Sequence, residues 1–158
     1  MPSIHTTELI DASPDRVWQI LADLSSYPDW NPFIIEASGE LREGEKLVLR
    51  MQPPGGKAMN FRPTVLKADP GQELRWLGRL GFRGIFDGEH YFRLTPEGGG
   101  TRLDQGEEFT GLLPRFMGKV LSQTERGFEA LNAALRKRAE RDVEAPAGLA
   151  PEKETAGS

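Results

Sequence analysis

The spacing of hydrophobic and polar residues changes twice along the chain, and each change separates two kinds of predicted element. Alternation over residues 4–10 predicts a strand. Helical spacing over residues 17–24 follows Ser13 and Pro14, which suit an N-cap and a first helical position. From Phe33 the period becomes two, and it returns to helical spacing in the last third of the chain. This order predicts an α+β domain that ends in a long helix.

The middle of the chain predicts an antiparallel sheet. Its strands are joined by short turns rich in Gly and Pro, with no helix between them. Two of these turns centre on Pro70 and Gly98. With the first strand included, seven strands are predicted, at residues 4–10, 33–39, 46–52, 60–68, 73–79, 85–95 and 101–111.

The register of the last predicted hairpin indicates which of its side chains face inward. Centring the turn between Leu94 and Leu103 pairs these two residues. His90 then lies opposite Glu107, whereas a slip of two residues, which keeps the same faces, would place it opposite Gln105. Polar groups are therefore expected among apolar neighbours on the inner face.

The preceding hairpin, which turns at Pro70, is expected to continue the same inner face. Pairing across its turn places Val65 opposite Trp76, with Phe61 two pairs further along the same strand. The neighbouring strand is expected to add Leu47, Leu49 and Met51.

The final helix presents one continuous face that is expected to close over the sheet. It begins near Pro114, and apolar residues recur along it at helical spacing as far as Leu135. An inner surface that is mostly apolar but carries a few polar groups is typical of a ligand pocket. The predicted ligand-binding residues are Trp30, Phe61, Val65, Trp76, His90, Phe92, Leu103, Gln105, Glu107, Phe109, Phe116, Val120, Thr124 and Phe128.

Beyond the helical face the composition changes to Ala, Pro, Glu and Gly, which cannot bury enough apolar surface to offset the entropy of ordering. We therefore predict a folded domain at residues 1–138 and a disordered acidic tail at residues 139–158. The tail carries five acidic and two basic residues, so the net charge of −4 leaves about −1 on the folded part. A nearly neutral domain argues against a nucleic-acid partner.

Several other classes of protein are disfavoured by what the chain lacks. Without cysteine there is no disulfide framework or thiol nucleophile, and two histidines far apart form no recognised metal-binding spacing. Gly78, Gly81 and Gly84 precede a strand rather than a helix, so they do not predict a phosphate-binding loop. No apolar run is long enough for a membrane span, and the N-terminus lacks signal-peptide character. We expect no cofactor or metal, a cytoplasmic location, and a monomer or weak dimer.

His90 and Glu107 are the candidate chemical groups. A partly buried histidine beside a carboxylate has the composition of a general acid–base pair. It is equally consistent with an interior histidine that orients a ligand or ties two strands together. No residue is assigned a catalytic role on this pattern alone.

Three segments, together with the amphipathic last helix, resemble the SRPBCC superfamily. They are residues 13–18 (Ser-Pro-Asp-Arg-Val-Trp), residues 27–32 (Tyr-Pro-Asp-Trp-Asn-Pro) and residues 88–92 (Gly-Glu-His-Tyr-Phe). This superfamily includes START lipid-transfer domains and birch-pollen-allergen proteins, and the bacterial polyketide cyclase/dehydrase-like group is the most similar. The resemblance implies a helix-grip fold: a seven-stranded curved antiparallel sheet around a long C-terminal helix, with two short helices after the first strand.

The pattern and the resemblance together suggest three functions. The first is binding of an apolar, lipid-like or polyketide-like small molecule between sheet and helix, as a carrier or sensor. The alternative is a cyclase/dehydratase- or isomerase-type enzyme that uses His90 with Glu107. The third is a protein-interaction module such as a chaperone cofactor, because fold alone does not separate these roles.

Overall fold

The computed structural model describes residues 3–80, 86–111 and 118–144. Within these ranges the chain forms eight strands and three α-helices, with a single 3-10 turn at Leu24–Ser26. The strands are β1 (Ser3–Ile10), β2 (Ile34–Ser38), β3 (Val48–Met51), β4 (Met59–Phe61), β5 (Thr64–Asp69), β6 (Glu73–Leu80), β7 (Phe86–Glu97) and β8 (Gly100–Gly111). The helices are α1 (Pro14–Ala22), α2 (Tyr27–Trp30) and α3 (Gly118–Glu144).

The strands form one curved antiparallel surface made of two sheets. Five strands pair in the order β1-β8-β7-β6-β5, and three pair in the order β2-β3-β4. Main-chain hydrogen bonds join the sheets where residues 44–47 run beside residues 63–65, for example from Leu47 N to Pro63 O at 2.9 Å. The curved sheet, the long last helix and the two short helices after β1 confirm the expected helix-grip fold.

One predicted strand is divided in two by Pro63. Proline has no N–H to donate to a ladder, so the chain leaves one sheet at this point and enters the other. As a result β4 pairs with β3, and Phe61 lies opposite Leu49. The prediction that Phe61 lies two pairs beyond Val65 in a single strand was therefore wrong.

The other predicted registers are confirmed. Leu94 lies opposite Leu103, and His90 lies opposite Glu107. On the preceding hairpin, Val65 lies opposite Trp76, next to a register shift in β5. The turn residues and the period-two pattern were therefore sufficient to align both hairpins.

The last helix extends six residues past Arg138, the predicted end of the folded domain. Two contacts explain the extension. Ala139 is fully buried in the core, and the Glu140 carboxylate accepts hydrogen bonds from Asp11 N at 2.9 Å and from Arg136 Nε at 3.0 Å. The boundary predicted at residue 138 was too early. The rest of the predicted tail, residues 145–158, lies outside the described residues.

Candidate functional site

Four predicted site residues meet in the interior between the sheet and α3. The indole ring of Trp76 stacks on the His90 imidazole at 4.9 Å between centroids, and the Phe128 ring meets His90 in an edge arrangement at 4.7 Å. Phe92 lies 4.8 Å from His90. The four side chains are almost completely buried. At this level, therefore, α3 and the sheet are in direct contact through aromatic rings.

A chain of hydrogen bonds runs from His90 across the interior to β1. His90 Nε2 lies 2.9 Å from Gln105 Oε1. Gln105 Nε2 donates to Asn132 Oδ1 at 2.6 Å and to the Phe128 carbonyl at 3.3 Å. Asn132 Nδ2 donates to Thr6 Oγ1, and the Thr6 hydroxyl donates to the Gln105 carbonyl, both at 2.8 Å. These hydrogen bonds tie α3 to β8 through Gln105 and to β1 through Thr6.

Glu107 stands at the other side of the His90 ring. Its Oε1 is 3.6 Å from His90 Nδ1, which is longer than a direct hydrogen bond. Its side chain is 12% exposed, against 2% for His90. The pair therefore lies where the closed interior begins to open.

Two glycines, which carry no side chains, lie on the inner face of the sheet beyond this pair; Gly78 is partly buried and Gly88 is buried. Gly78 and Gly88 lie directly opposite each other on β6 and β7, on the same face as Trp76 and His90. Among the residues that the structure describes, a Cβ added at Gly78 would meet Pro63, at 3.7 Å. On β8, Phe109 lies opposite Gly88. A strip of sheet without side chains therefore adjoins an aromatic ring.

The first turns of α3 lie at the same end as the two glycines. The helix runs parallel to β1, since Asn132 pairs with Thr6 and Arg136 with Glu8. Its earlier turns must then continue toward Ser3, which is level with residue 108 of β8. Thr124 is accordingly one turn beyond the Phe128–His90 contact, in the direction of the bare strip. We call this end, framed by Gly78, Gly88, Phe109, Glu107 and Thr124, the open end.

The remaining predicted site residues are distributed around this interior. Val65, Leu103 and Phe109 are buried. Phe61 is partly buried at the edge formed by β3 and β4. Val120 is 42% exposed, and the next residue of α3, Leu121, packs against the core instead. Phe116 lies outside the described residues.

Trp30 lies in α2, where its ring meets Tyr27 edge-on at 5.3 Å. It packs partly buried against the core. Its neighbour Asn31 fixes the entry to β2, because Asn31 Oδ1 accepts hydrogen bonds from the amides of Phe33 and Ile34. None of these contacts brings Trp30 to His90, so its place in the ligand site stays a prediction.

A separate open groove of about 580 Å3 lies outside the interior, between α1 and the turns that precede β3 and β6. Trp18, Leu24 and Leu41 contribute to its apolar part. It contains none of the predicted site residues. We place the candidate site at the open end because Glu107, which faces Nδ1 of His90, lies there.

Within the described residues, no group of three or more His, Asp or Glu side chains is placed to hold a metal ion. No helix in the same part of the chain is long and apolar enough to cross a membrane.

Residues 1–140 match the protein family described as polyketide cyclase/dehydrase and lipid transport. The chain belongs to this family, as the resemblance of its motifs to the SRPBCC superfamily predicted. No curated protein sequence matches the chain.

Solved structures similar to this one share its fold at low sequence identity. The Zhui aromatase/cyclase from Streptomyces sp. R1128 superposes with a TM-score of 0.76 at 22% identity, covering 94% of this chain and 99% of its own. A START superfamily protein from Mycobacterium smegmatis gives 0.70 at 23%, covering 88% and 97%. The protein TTHA0849 from Thermus thermophilus gives 0.71 at 21%, covering 89% and 99%. These similarities establish the fold, and the family supports ligand binding or a polyketide-related role.

Proposed function

We propose that this protein binds an apolar small molecule at the open end, between the sheet and the first turns of α3, as a carrier or sensor. The observation that supports the proposal is the pair of facing glycines, Gly78 and Gly88, on the inner face of the sheet. A packed core would carry large side chains at such positions. Glycines at these positions add no side chain to the space between sheet and helix, which favours a ligand site there.

The expected ligand is largely carbon with one polar end. Its apolar part would lie against the bare strip and Phe109. Burial contributes about 25 cal/mol per Å2, so roughly 200 Å2 of ligand surface gives about 5 kcal/mol before the costs of association. The polar end would face Glu107 and His90, because these two residues carry the polar atoms at the boundary of the closed interior.

Two adjacent residues of α3 provide a matched test of this location. Thr124 is partly buried on the inner stripe, whereas Glu125 is exposed. An indole at residue 124 would occupy the space above the glycines, so we expect Thr124→Trp to weaken binding of the neutral fluorophore N-phenyl-1-naphthylamine by about ten-fold or more. Glu125→Trp should bind like wild type. Fluorescence titration measures both dissociation constants.

The proposal fails if wild type does not bind the fluorophore, or if Thr124→Trp and Glu125→Trp bind it equally. A further variant, His90→Phe, addresses the enzymatic alternative. Turnover of aromatic polyketides or related carbonyl compounds that disappears in His90→Phe would place the protein among enzymes rather than carriers.

A further inference from the structure

The direction of each hydrogen bond between Thr6 and Gln105 follows from two main-chain carbonyls. The Gln105 carbonyl only accepts, so the Thr6 hydroxyl donates to it and must accept from Asn132 Nδ2. Asn132 therefore turns its Oδ1 toward Gln105, whose Nε2 donates to it. The Phe128 carbonyl accepts the second hydrogen of the same Nε2. Neither the Gln105 nor the Asn132 side-chain amide can be rotated by 180° without placing two acceptors together.

These hydrogen bonds determine the tautomer of His90. Gln105 Oε1 is an acceptor and lies 2.9 Å from His90 Nε2, so Nε2 must carry a hydrogen. In the neutral ring Nδ1 is then the acceptor nitrogen. Nδ1 is the atom that faces Glu107, at 3.6 Å from Oε1.

An ionised Glu107 also has only acceptors, and it would face the lone pair of Nδ1 in a setting with little water. Two acceptors placed together without a donor are unfavourable. The conflict is removed by a donor that lies beside the two groups and hydrogen-bonds to one of them. The two side chains do not satisfy each other, because the 3.6 Å between Nδ1 and Oε1 is longer than a direct hydrogen bond.

We propose, building on the proposed function, that His90 and Glu107 together recognise a hydroxyl group at the end of an apolar ligand. Nδ1 of His90 and the carboxylate of Glu107 face each other across 3.6 Å as two acceptors. A hydroxyl group donates its hydrogen to one of them, so its presence relieves the conflict between the two acceptors.

The inference names a ligand class: phenols, enols and alcohols on an apolar ring system or chain. An ether or ketone oxygen only accepts, so it supplies no donor to either acceptor of the pair. A phenol and its methyl ether therefore separate recognition of the hydroxyl from burial of carbon. The methyl ether is the more apolar of the two, so any preference for the phenol arises from hydrogen bonding.

The test is competition between 2-naphthol, or 2-methoxynaphthalene, and N-phenyl-1-naphthylamine. We expect wild type to bind 2-naphthol about ten-fold or more tightly than its methyl ether. In Glu107→Gln the amide can donate directly toward Nδ1, so the preference should fall to about two-fold or less. Glu108→Gln, which changes the exposed neighbour on the opposite face of β8, should keep the wild-type preference.

Equal binding of the two naphthalenes by wild type, or an unchanged preference in Glu107→Gln, would overturn the inference. Displacement of the fluorophore by both compounds would still support binding at the open end, so this failure differs from failure of the proposed function. Circular dichroism and fluorophore binding check that Glu107→Gln is folded.

The tautomer can be measured on wild type without any ligand. Long-range proton–nitrogen correlation spectra distinguish the two imidazole nitrogens, and His5→Gln assigns the signals, since the chain has two histidines. We expect Nε2 of His90 to be protonated. A bare Nε2 would contradict the hydrogen-bond directions on which the inference depends, even if Glu107→Gln failed to fold.

Discussion

At the scale of single residues, Asn132 is the polar side chain whose loss should be most costly. It is 1% exposed, and it accepts from Gln105 while donating to Thr6. Asn132→Ala leaves a buried donor and a buried acceptor without partners, so we expect a loss of about 1–3 kcal/mol in the free energy of unfolding. Asn60→Ala is the control, because Asn60 accepts from Arg50 on an exposed surface and should change stability by about 0.5 kcal/mol or less.

Urea unfolding at neutral pH measures both variants. Equal stability of Asn132→Ala and Asn60→Ala would show that the buried hydrogen bonds of Asn132 contribute nothing to the free energy of unfolding.

The residues of this chain also show what could be predicted from the sequence. Hairpin register was enough to place His90 opposite Glu107, because both lie on strands joined by one short turn. Thr6 and Asn132 were missed, since they are 126 residues apart and only packing brings them together. A signal was available: Asn132 interrupts the apolar stripe of α3, and a polar residue on a buried stripe requires a partner.

At the scale of elements, the position of α3 depends on a glycine where the helix packs against Phe33, the residue before β2. A Cβ at Gly127 would lie 2.5 Å from the ring of Phe33, and that ring already packs edge-on against Phe128. Alanine normally favours a helix over glycine by about 1 kcal/mol. We expect Gly127→Ala to do the opposite and destabilise by about 1–3 kcal/mol, because the packed ring must move.

Gly118, at the start of the same helix, has no atom within 4 Å of an added Cβ. Gly118→Ala should therefore leave the melting temperature within a degree or two of wild type, or raise it slightly. Thermal unfolding monitored by circular dichroism compares the two variants. A Gly127→Ala protein more stable than wild type would mean that α3 can move away from Phe33 without cost.

The elements themselves were predictable wherever their period was regular. The errors occurred where a single backbone group or a distant contact decided the boundary. Pro63 divides a strand because it has no N–H, although the alternation of its neighbours continues. The end of α3 is extended by contacts to Asp11, more than a hundred residues away, which no local pattern encodes.

At the scale of the whole molecule, the fold was more predictable than the site. Local periodicity and turn residues predict the order of strands and helices, and this order determines the fold class. The open end depends instead on the absence of side chains at Gly78 and Gly88, which lie opposite each other on the inner face; neither residue was assigned to the site from the sequence. It also depends on the path of α3 over the sheet, which is a consequence of packing.

Charge on the outer face of the molecule makes its stability depend on pH. Burial raises the pKa of Asp104, but hydrogen bonds from Thr7 and His5 and the charge of Arg102 act in the opposite direction, and the net result is a lowered pKa. The pKa of Glu73 is also lowered, since the Arg75 guanidinium outweighs the effect of burial. For both groups the unfolded chain binds protons at a higher pH than the folded protein does.

The direction of the pH dependence follows from this difference. Ionised Asp104 contributes its full stabilisation above the unfolded pKa of about 4, and the contribution is lost as the pH falls through the lower folded pKa. We expect the free energy of unfolding to decrease between about pH 5 and pH 2.5, and to decrease less in Asp104→Asn, which has no carboxyl group to protonate at this site. Glu43→Gln, in an exposed turn, should retain the wild-type dependence. Urea titrations across this range measure the three curves, and an Asp104→Asn curve parallel to wild type would show that Asp104 does not contribute to the acid sensitivity.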